Sequence, residues 1–286
     1  MEYINLKAYG KINLGLDVIG TLDNGYHQVR MIMQSVDIFD KVNIYKAPGR
    51  GIRMKTNLSY LPSGPDNLVY KAAALIKEKY GIADGMDIDL YKFIPVSAGM
   101  AGGSSDAAAV LKGVNELWNI GASENELMEL GAKLGADIPY CVMGGTALAE
   151  GIGEKLTRLP DCPECTVVIG KPNLRISTRY VYEKLVLDEN TVHPDIDGMM
   201  EAIKNSDIKG VASRLCNVLE TVTETENPVI SQIKKFMVDN GALGALMSGS
   251  GPTVFGLFES GDEAARCNEM LKKRGLVRNS YTAHLV

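Results

Sequence analysis

Between Pro95 and Leu111 the chain reads PVSAGMAGGSSDAAAVL, and no other stretch constrains the fold as much. Gly99, Gly102, Gly103, Ser104 and Ser105 crowd together, and an alanine-rich apolar run follows at once. Glycines let a backbone approach a ligand and turn successive N–H groups toward one point. A helix that starts there adds its own unpaired N–H groups and the positive end of its dipole. Together these make an anion site, and phosphate is the usual anion. The competing reading is an ordinary loop with a serine N-cap. The chain contains no GxxxxGK[ST], and the stretch is not GxGxxG, so it is a third kind of glycine loop.

The rest of the chain sets the frame. Its 286 residues suit two domains or one large one. A hydrophobic content of 45% with 23% charged residues implies a packed soluble protein. A net charge of −5 speaks against nucleic acid or an anionic membrane as a main partner. No apolar run reaches membrane-spanning length. The N-terminus alternates like a strand and lacks a signal-peptide core, so a cytoplasmic location is expected. The five cysteines are an odd set and argue against a disulfide framework. Cys162-Pro-Glu-Cys165 is a lone CxxC, read as a turn before a strand, because zinc needs two more ligands and His27, His193 and His284 are scattered. No GxSxG elbow is present.

Residues 4–18 alternate, with Ile4, Leu6, Ala8, Ile12, Leu14, Leu16 and Val18 on one parity and Lys7, Lys11, Asn13 and Asp17 on the other. That pattern predicts a half-buried strand, with Lys11 and Asn13 pointing away from the main core. The DNG at 23–25 predicts a tight turn, with Tyr26-His27 at the mouth of a strand over 29–45. A helix is predicted over 66–80 and a strand over 86–94. Lys92 lies on the parity of Met86, Ile88 and Leu90, where it either snorkels out or reaches a ligand. After the glycine loop, Ala107, Leu111, Val114 and Trp118 trace a helical stripe, and Ser123 with Glu126 forms a capping box. Beyond a composition break at 159–163, a strand is predicted over 166–169 and helices over 177–184, 195–204, 207–222, 228–240 and 262–273. Strands over 242–248 and 253–258 flank Gly249-Ser250-Gly251-Pro252, and a last strand covers 281–286. Strands and helices mix without regular βαβ repetition, which makes the fold class α+β.

Five features could carry chemistry, and each has a plain alternative. They are the glycine loop, Lys11 with Asn13 on its strand face, Asp137 between Gly135 and Pro139, the Gly249-Ser250-Gly251 turn, and Tyr26-His27. Singly, Lys11 reads as a solvated charge, Asp137 as an N-cap, the second glycine turn as a hairpin and Tyr26-His27 as surface. The conjunction says more. Phosphoryl transfer needs a cradle for the donor phosphates, a cation near the developing charge and a carboxylate to orient or deprotonate the attacking hydroxyl.

These residues resemble the GHMP kinases, the family of galactokinase, homoserine kinase, mevalonate kinase and phosphomevalonate kinase. AYGKINLGLDV at 8–18 resembles the family's first motif, PVSAGMAGGSSDAAA its phosphate-binding motif, and LMSGSGPTVFGLF at 246–258 its third. GYH at 25–27, GADIPYCVMGGTALAEGIGE and KPNLRISTRYVY resemble one branch, whose substrate is a sugar alcohol carrying cytidine diphosphate. The resemblance implies two domains, a ribosomal-protein-S5-like half over 1–160 and a ferredoxin-like half over 161–286. It implies ATP as phosphate donor with Mg2+, a small-molecule acceptor, and a monomer or weak homodimer. Asp137 matches the family's catalytic aspartate and Lys11 its motif-one lysine. Pro95, Val96, Ser97, Ala98, Gly99, Met100, Ala101, Gly102, Gly103, Ser104 and Ser105 match the ATP loop, and Asn67 a position near the adenosine. Ser104 or Ser105 could lend the metal an oxygen. Tyr26, His27 and Tyr182 match a cytosine site, Asn13 and Lys92 polar contacts to the substrate, and Ser248, Gly249, Ser250 and Gly251 the third motif beside it. The alternatives are another GHMP kinase, such as mevalonate or homoserine kinase, or a non-catalytic binding protein of the fold. Met100 and Ala101 depart from the Leu and Gly usual in the loop, and Ala101 is strained if its position needs positive φ.

Overall fold

The alternating N-terminal stretch folds as one long strand, β1 (Tyr3–Thr21), followed by a second, β2 (His27–Ala47). The computed structural model describes residues 2–22 and 25–286, so Asp23 and Asn24 of the expected turn lie outside the described residues. The chain continues through β3 (Ile52–Thr56), α1 (Leu68–Lys79), β4 (Gly85–Tyr91), α2 (Gly102–Leu117), α3 (Glu124–Ala132), α4 (Asp137–Met143), β5 (Thr146–Gly151) and β6 (Lys155–Arg158). Then come β7 (Thr166–Lys171), α5 (Thr178–Lys184), α6 (Ile196–Lys204), α7 (Ile208–Ala212), β8 (Cys216–Asn217), α8 (Glu220–Glu226), α9 (Val229–Asp239), β9 (Gly244–Met247), β10 (Val254–Phe258), α10 (Gly261–Lys273) and β11 (Asn279–His284). The intermixing is α+β, as the irregular element order implies.

Two compact units interleave along the chain, and β1 and β2 each contribute to both. The first unit comprises Met1–Gly10, Ile38–Val96 and Ala101–Gly144. In it β4 pairs antiparallel with β2, Lys41 opposite Tyr91, and parallel with β3, Ile52 opposite Met86. Val42, Ile44, Ile88 and Leu90 from these strands meet Val69, Ala72, Ala73 and Ile76 of α1 and Ala107, Val110, Leu111 and Val114 of α2 in one fully buried cluster. The alanines of α2 are what let it lie close to its neighbours. The capping box at Ser123 forms as the sequence predicts, satisfying two otherwise orphaned N–H groups of α3.

The second unit comprises Lys11–Asp37, Ser97–Met100 and Gly145–Val286. Its part of β2 pairs antiparallel with β5, and β5 with β6. A separate antiparallel sheet runs β11-β7-β10-β9. Gly170 on β7 leaves room for Met237 of α9 and Leu271 of α10 to pack there. Ser177 caps α5 through the Tyr180 N–H, as its position before a helix predicts.

Two expectations need correction. Beyond Gly10, β1 is not half-buried. Lys11, Asn13 and Asp17 on its polar parity are buried along with the apolar residues. The second face is covered by α6, whose Ile196 and Met199 fill the space a side chain at Gly15 would occupy. The helix expected over 207–222 is broken as well. It is α7, then the short strand β8 parallel to β1 at Gly15 and Leu16, then α8. The break is stabilised by the Asn217 side chain, which accepts from the Leu219 N–H and donates to two distant carbonyls. Such local competition by asparagine disfavours a continuous helix.

Candidate active site

In the first unit the glycine stretch opens α2. Ala101, its N-cap, has φ of 52°, so the left-handed conformation the sequence leaves conditional is present. Asn67 caps α1, accepting from Val69 N–H and donating to Pro62 O, so both ends of its amide are used. Ser105 is buried and spends its hydroxyl proton on Tyr9 O at 2.6 Å. Asp137 does not act as the N-cap its surroundings suggest. It is the first residue of α4, half-buried, while Ala136 stands at the cap with no side-chain bond. Among the described residues its carboxylate takes part in no ion pair, which leaves it available to a ligand.

Lys92 neither snorkels nor stands free. Its ammonium is buried and bonded to Asp40 and, at 2.5 Å, to Asp106. Asp40 in turn accepts the N–H groups of Phe93 and Ile94. These two bonds use two of the three N–H groups of Lys92 and make it a buried tie between Asp40 and Asp106. The sequence signal for its partner was Asp40, a carboxylate on the core parity of Val42 and Ile44. Asp106 Oδ1 is buried without any partner. Burial, then the like charge of Asp40, push the Asp106 carboxyl up to about 8 against the pull of Lys92.

That shift has a sign. The native chain keeps a proton that the unfolded chain, with an ordinary carboxylate, releases. The stabilisation is present in full below the ordinary carboxylate range and is lost as pH rises toward about 8. In Asp106→Asn this slope is absent. Urea unfolding should therefore show the variant gaining on the wild type from about pH 5 to pH 8, with the difference level beyond. A difference that does not change with pH would mean Asp106 is ionised throughout.

In the second unit Lys11 Nζ donates to Asn13 Oδ1 at 2.6 Å, and Asn13 Nδ2 meets Met31 Sδ at 3.3 Å. The Lys11 backbone N–H holds Met100 O. Ser97 and Gly99 both have positive φ. A Cβ at Gly99 would sit 2.2 Å from Ser248 O, so only glycine fits there. Ser248 Oγ donates to Gly99 O at 2.9 Å, which ties the third-motif turn to the middle of the glycine loop. Asn217 fixes the same turn by donating to Met247 O and Gly249 O, both at 2.8 Å. Thr223 Oγ1 donates to Ser250 O, and the Ser250 and Thr178 hydroxyls pair at 2.9 Å. Sequence reasoning missed Asn217, because it lay inside what reads as a helix. The His27 ring lies 5.0 Å from that of Tyr182, tilted 40°. Tyr26, next to His27 in sequence, is 60% exposed.

The two halves of the CxxC are buried free thiols, pushed up to about 12 by burial, and they lie just before β7. The described side chains alone make no closed magnesium site, as suits a metal held largely by nucleotide phosphates. Among the described residues no three of His, Cys, Asp or Glu cluster to hold a metal. Ser105 donates its proton to Tyr9 O, and Ser104 and Ser105 could lend a metal only neutral hydroxyl oxygens.

Two family models match the chain. GHMP kinases N terminal domain matches residues 67–145, and GHMP kinases C terminal matches 199–276. The 4-diphosphocytidyl-2-C-methyl-D-erythritol kinase of Lachnospira eligens is 56% identical over 282 residues, covering 99% of this chain and 98% of its own. The chain belongs to the GHMP kinase family. A crystal structure of 4-(cytidine 5'-diphospho)-2C-methyl-D-erythritol kinase superposes with a TM-score of 0.85 at 31% identity, covering 99% of both chains. Homoserine kinase from Cytophaga hutchinsonii superposes at 0.80 with 20% identity, covering 100% of this chain and 95% of its own, and shows the shared fold. The chain is therefore a kinase with the α+β GHMP fold that the three motifs imply. No helix among the described residues is long and apolar enough to cross a membrane.

Proposed function

We propose that this kinase transfers the γ-phosphoryl group of ATP to the 2-hydroxyl of 4-diphosphocytidyl-2-C-methyl-D-erythritol, giving the 2-phosphate and ADP in the non-mevalonate route to isoprenoid precursors. The observation that carries it is the 56% identity, over nearly the whole of both chains, to a relative of that name. The chain's own residues fit the parts this transfer needs. Ser97–Ser105 offer backbone N–H groups and the start of α2 to the ATP phosphates, whose magnesium arrives with the nucleotide as part of the substrate. Asp137 accepts or orients the acceptor hydroxyl proton, and Lys11 stabilises negative charge on the transferring group. Tyr26 stacks on the cytosine, with His27 and Tyr182 beside it. The same reading carries the division near residue 160 and a cytoplasmic setting.

ADP release measured with the cytidyl substrate, mevalonate, homoserine and galactose tests the assignment. Turnover is expected with the first alone, and turnover with mevalonate or homoserine instead would overturn it. Tyr26→Ala should weaken binding of the cytidyl substrate by about 1–3 kcal/mol, the usual worth of base–aromatic stacking. Calorimetry with the cytidyl substrate checks this, and an unchanged Kd would remove Tyr26 from the base site.

A further inference from the structure

The glycine stretch contains two non-glycine residues in the left-handed region, Ser97 and Ala101, both with φ of 52°. Such conformations cost free energy and persist only where the surroundings over-determine them. The surroundings here are a buried charge cluster at both ends of the stretch. Where the chain leads in, Asp40 Oδ1 takes the N–H groups of Phe93 and Ile94, immediately before Pro95. Where it leads out, Asp106 on α2 meets the same ammonium that holds Asp40. That ammonium also lies against the first residue of α2, since a Cβ built on Gly102 would be 3.3 Å from Lys92 Nζ. One lysine thus joins the strand side of the loop to its helix side. The cluster brings two carboxyl groups to one ammonium, and Asp106 Oδ1 is buried without a partner.

We propose that Asp40, Lys92 and Asp106 form a clamp that holds Ala101 in its left-handed conformation, making Asp106 a positioning residue for ATP. The inference rests on the kinase reading above. Asp106 acts through the backbone and need not touch the nucleotide. Removing it leaves Lys92 paired with Asp40, a balanced ion pair, so Asp106→Ala keeps its core intact. What it loses is the tie between that pair and α2, and Ala101 is then free to leave the strained region. Glycine at 101 adopts positive φ without the Cβ penalty, so it should recover what the clamp supplied.

The test is a double-mutant cycle on Asp106→Ala and Ala101→Gly, read as KM for ATP, KM for the second substrate and Kd for ATP by calorimetry. Asp106→Ala should raise KM and Kd for ATP roughly tenfold while leaving KM for the second substrate within about twofold. Ala101→Gly should improve ATP binding slightly in the wild-type background and several-fold in the Asp106→Ala background. Equal effects of Ala101→Gly in both backgrounds would overturn the clamp, as would an Asp106→Ala protein that binds ATP like the wild type. If Asp106→Ala fails to fold, Asp106→Leu, which also removes the acceptor of the Lys92 bond, replaces it in the same cycle with the same three readouts. A wild-type protein that binds no ATP would instead overturn the kinase reading on which the inference rests.

Discussion

The Asp137→Ala protein is expected to lose turnover by about 10²–10⁴-fold while binding both substrates nearly as well as the wild type. The structure explains why the two effects should separate. Asp137 opens α4 but does not cap it, and its carboxylate is in no ion pair among the described residues. Its only fold contribution among the described residues is an acidic charge in the first turn of α4, about 0.3–1 kcal/mol, so its removal should cost chemistry rather than architecture. Kd values from calorimetry and kcat from ADP release distinguish these. Asp137→Asn then separates two roles. An asparagine can still hold the acceptor hydroxyl in place but cannot take its proton. Phosphoryl transfer with a loose transition state asks little of a base, so substantial activity in Asp137→Asn would mean the carboxylate only orients the nucleophile. Activity as low as in the alanine variant would make it a true base. Wild-type turnover by Asp137→Ala would remove the residue from the site altogether.

What the sequence made legible follows from which physical signals are local. Caps and glycine turns depend on residues within a few positions of each other, so the capping box at Ser123, the cap at Ser177 and the strained position at Ala101 could all be read in advance. Periodicity reported β1 but not the cover on its second face, because α6 lies far along the chain. The same limit hid the partners of Lys92. Its odd parity flagged a problem that only Asp40 and Asp106, on two other elements, could solve. Asn217 was invisible for a different reason. Its three side-chain bonds to backbone break a helix that composition alone supports, and two of those bonds reach the third-motif turn. The residues that shape the site were thus readable where they touch neighbours in sequence and hidden where they touch neighbours in space.

Lys11 should be the second large loss, with Lys11→Met lowering kcat by roughly 10²–10³-fold, the cost of removing one preorganised group that stabilises transition-state charge. The loop should survive the change, because the bond from residue 11 to Met100 O is made by the backbone N–H and not by the side chain. KM for ATP should therefore move little, in contrast to Asp106→Ala. Lys11→Arg should fail to restore turnover. The site is buried, with Nζ already 2.6 Å from Asn13 Oδ1, and a planar guanidinium fork cannot take the place of a compact ammonium there. The variant also leaves Asn13 Oδ1 buried without its donor, a cost of about 1–3 kcal/mol that would lower Tm and could be mistaken for the cause of inactivity. Pairing Lys11→Met with Asn13→Leu removes both polar partners at once, and replacing both is close to neutral for stability. The double variant should regain much of the lost Tm and none of the lost kcat. If turnover returned together with Tm, Lys11 would be a structural residue of β1, and the negative charge of the transferring phosphoryl group would have to be met by another cation.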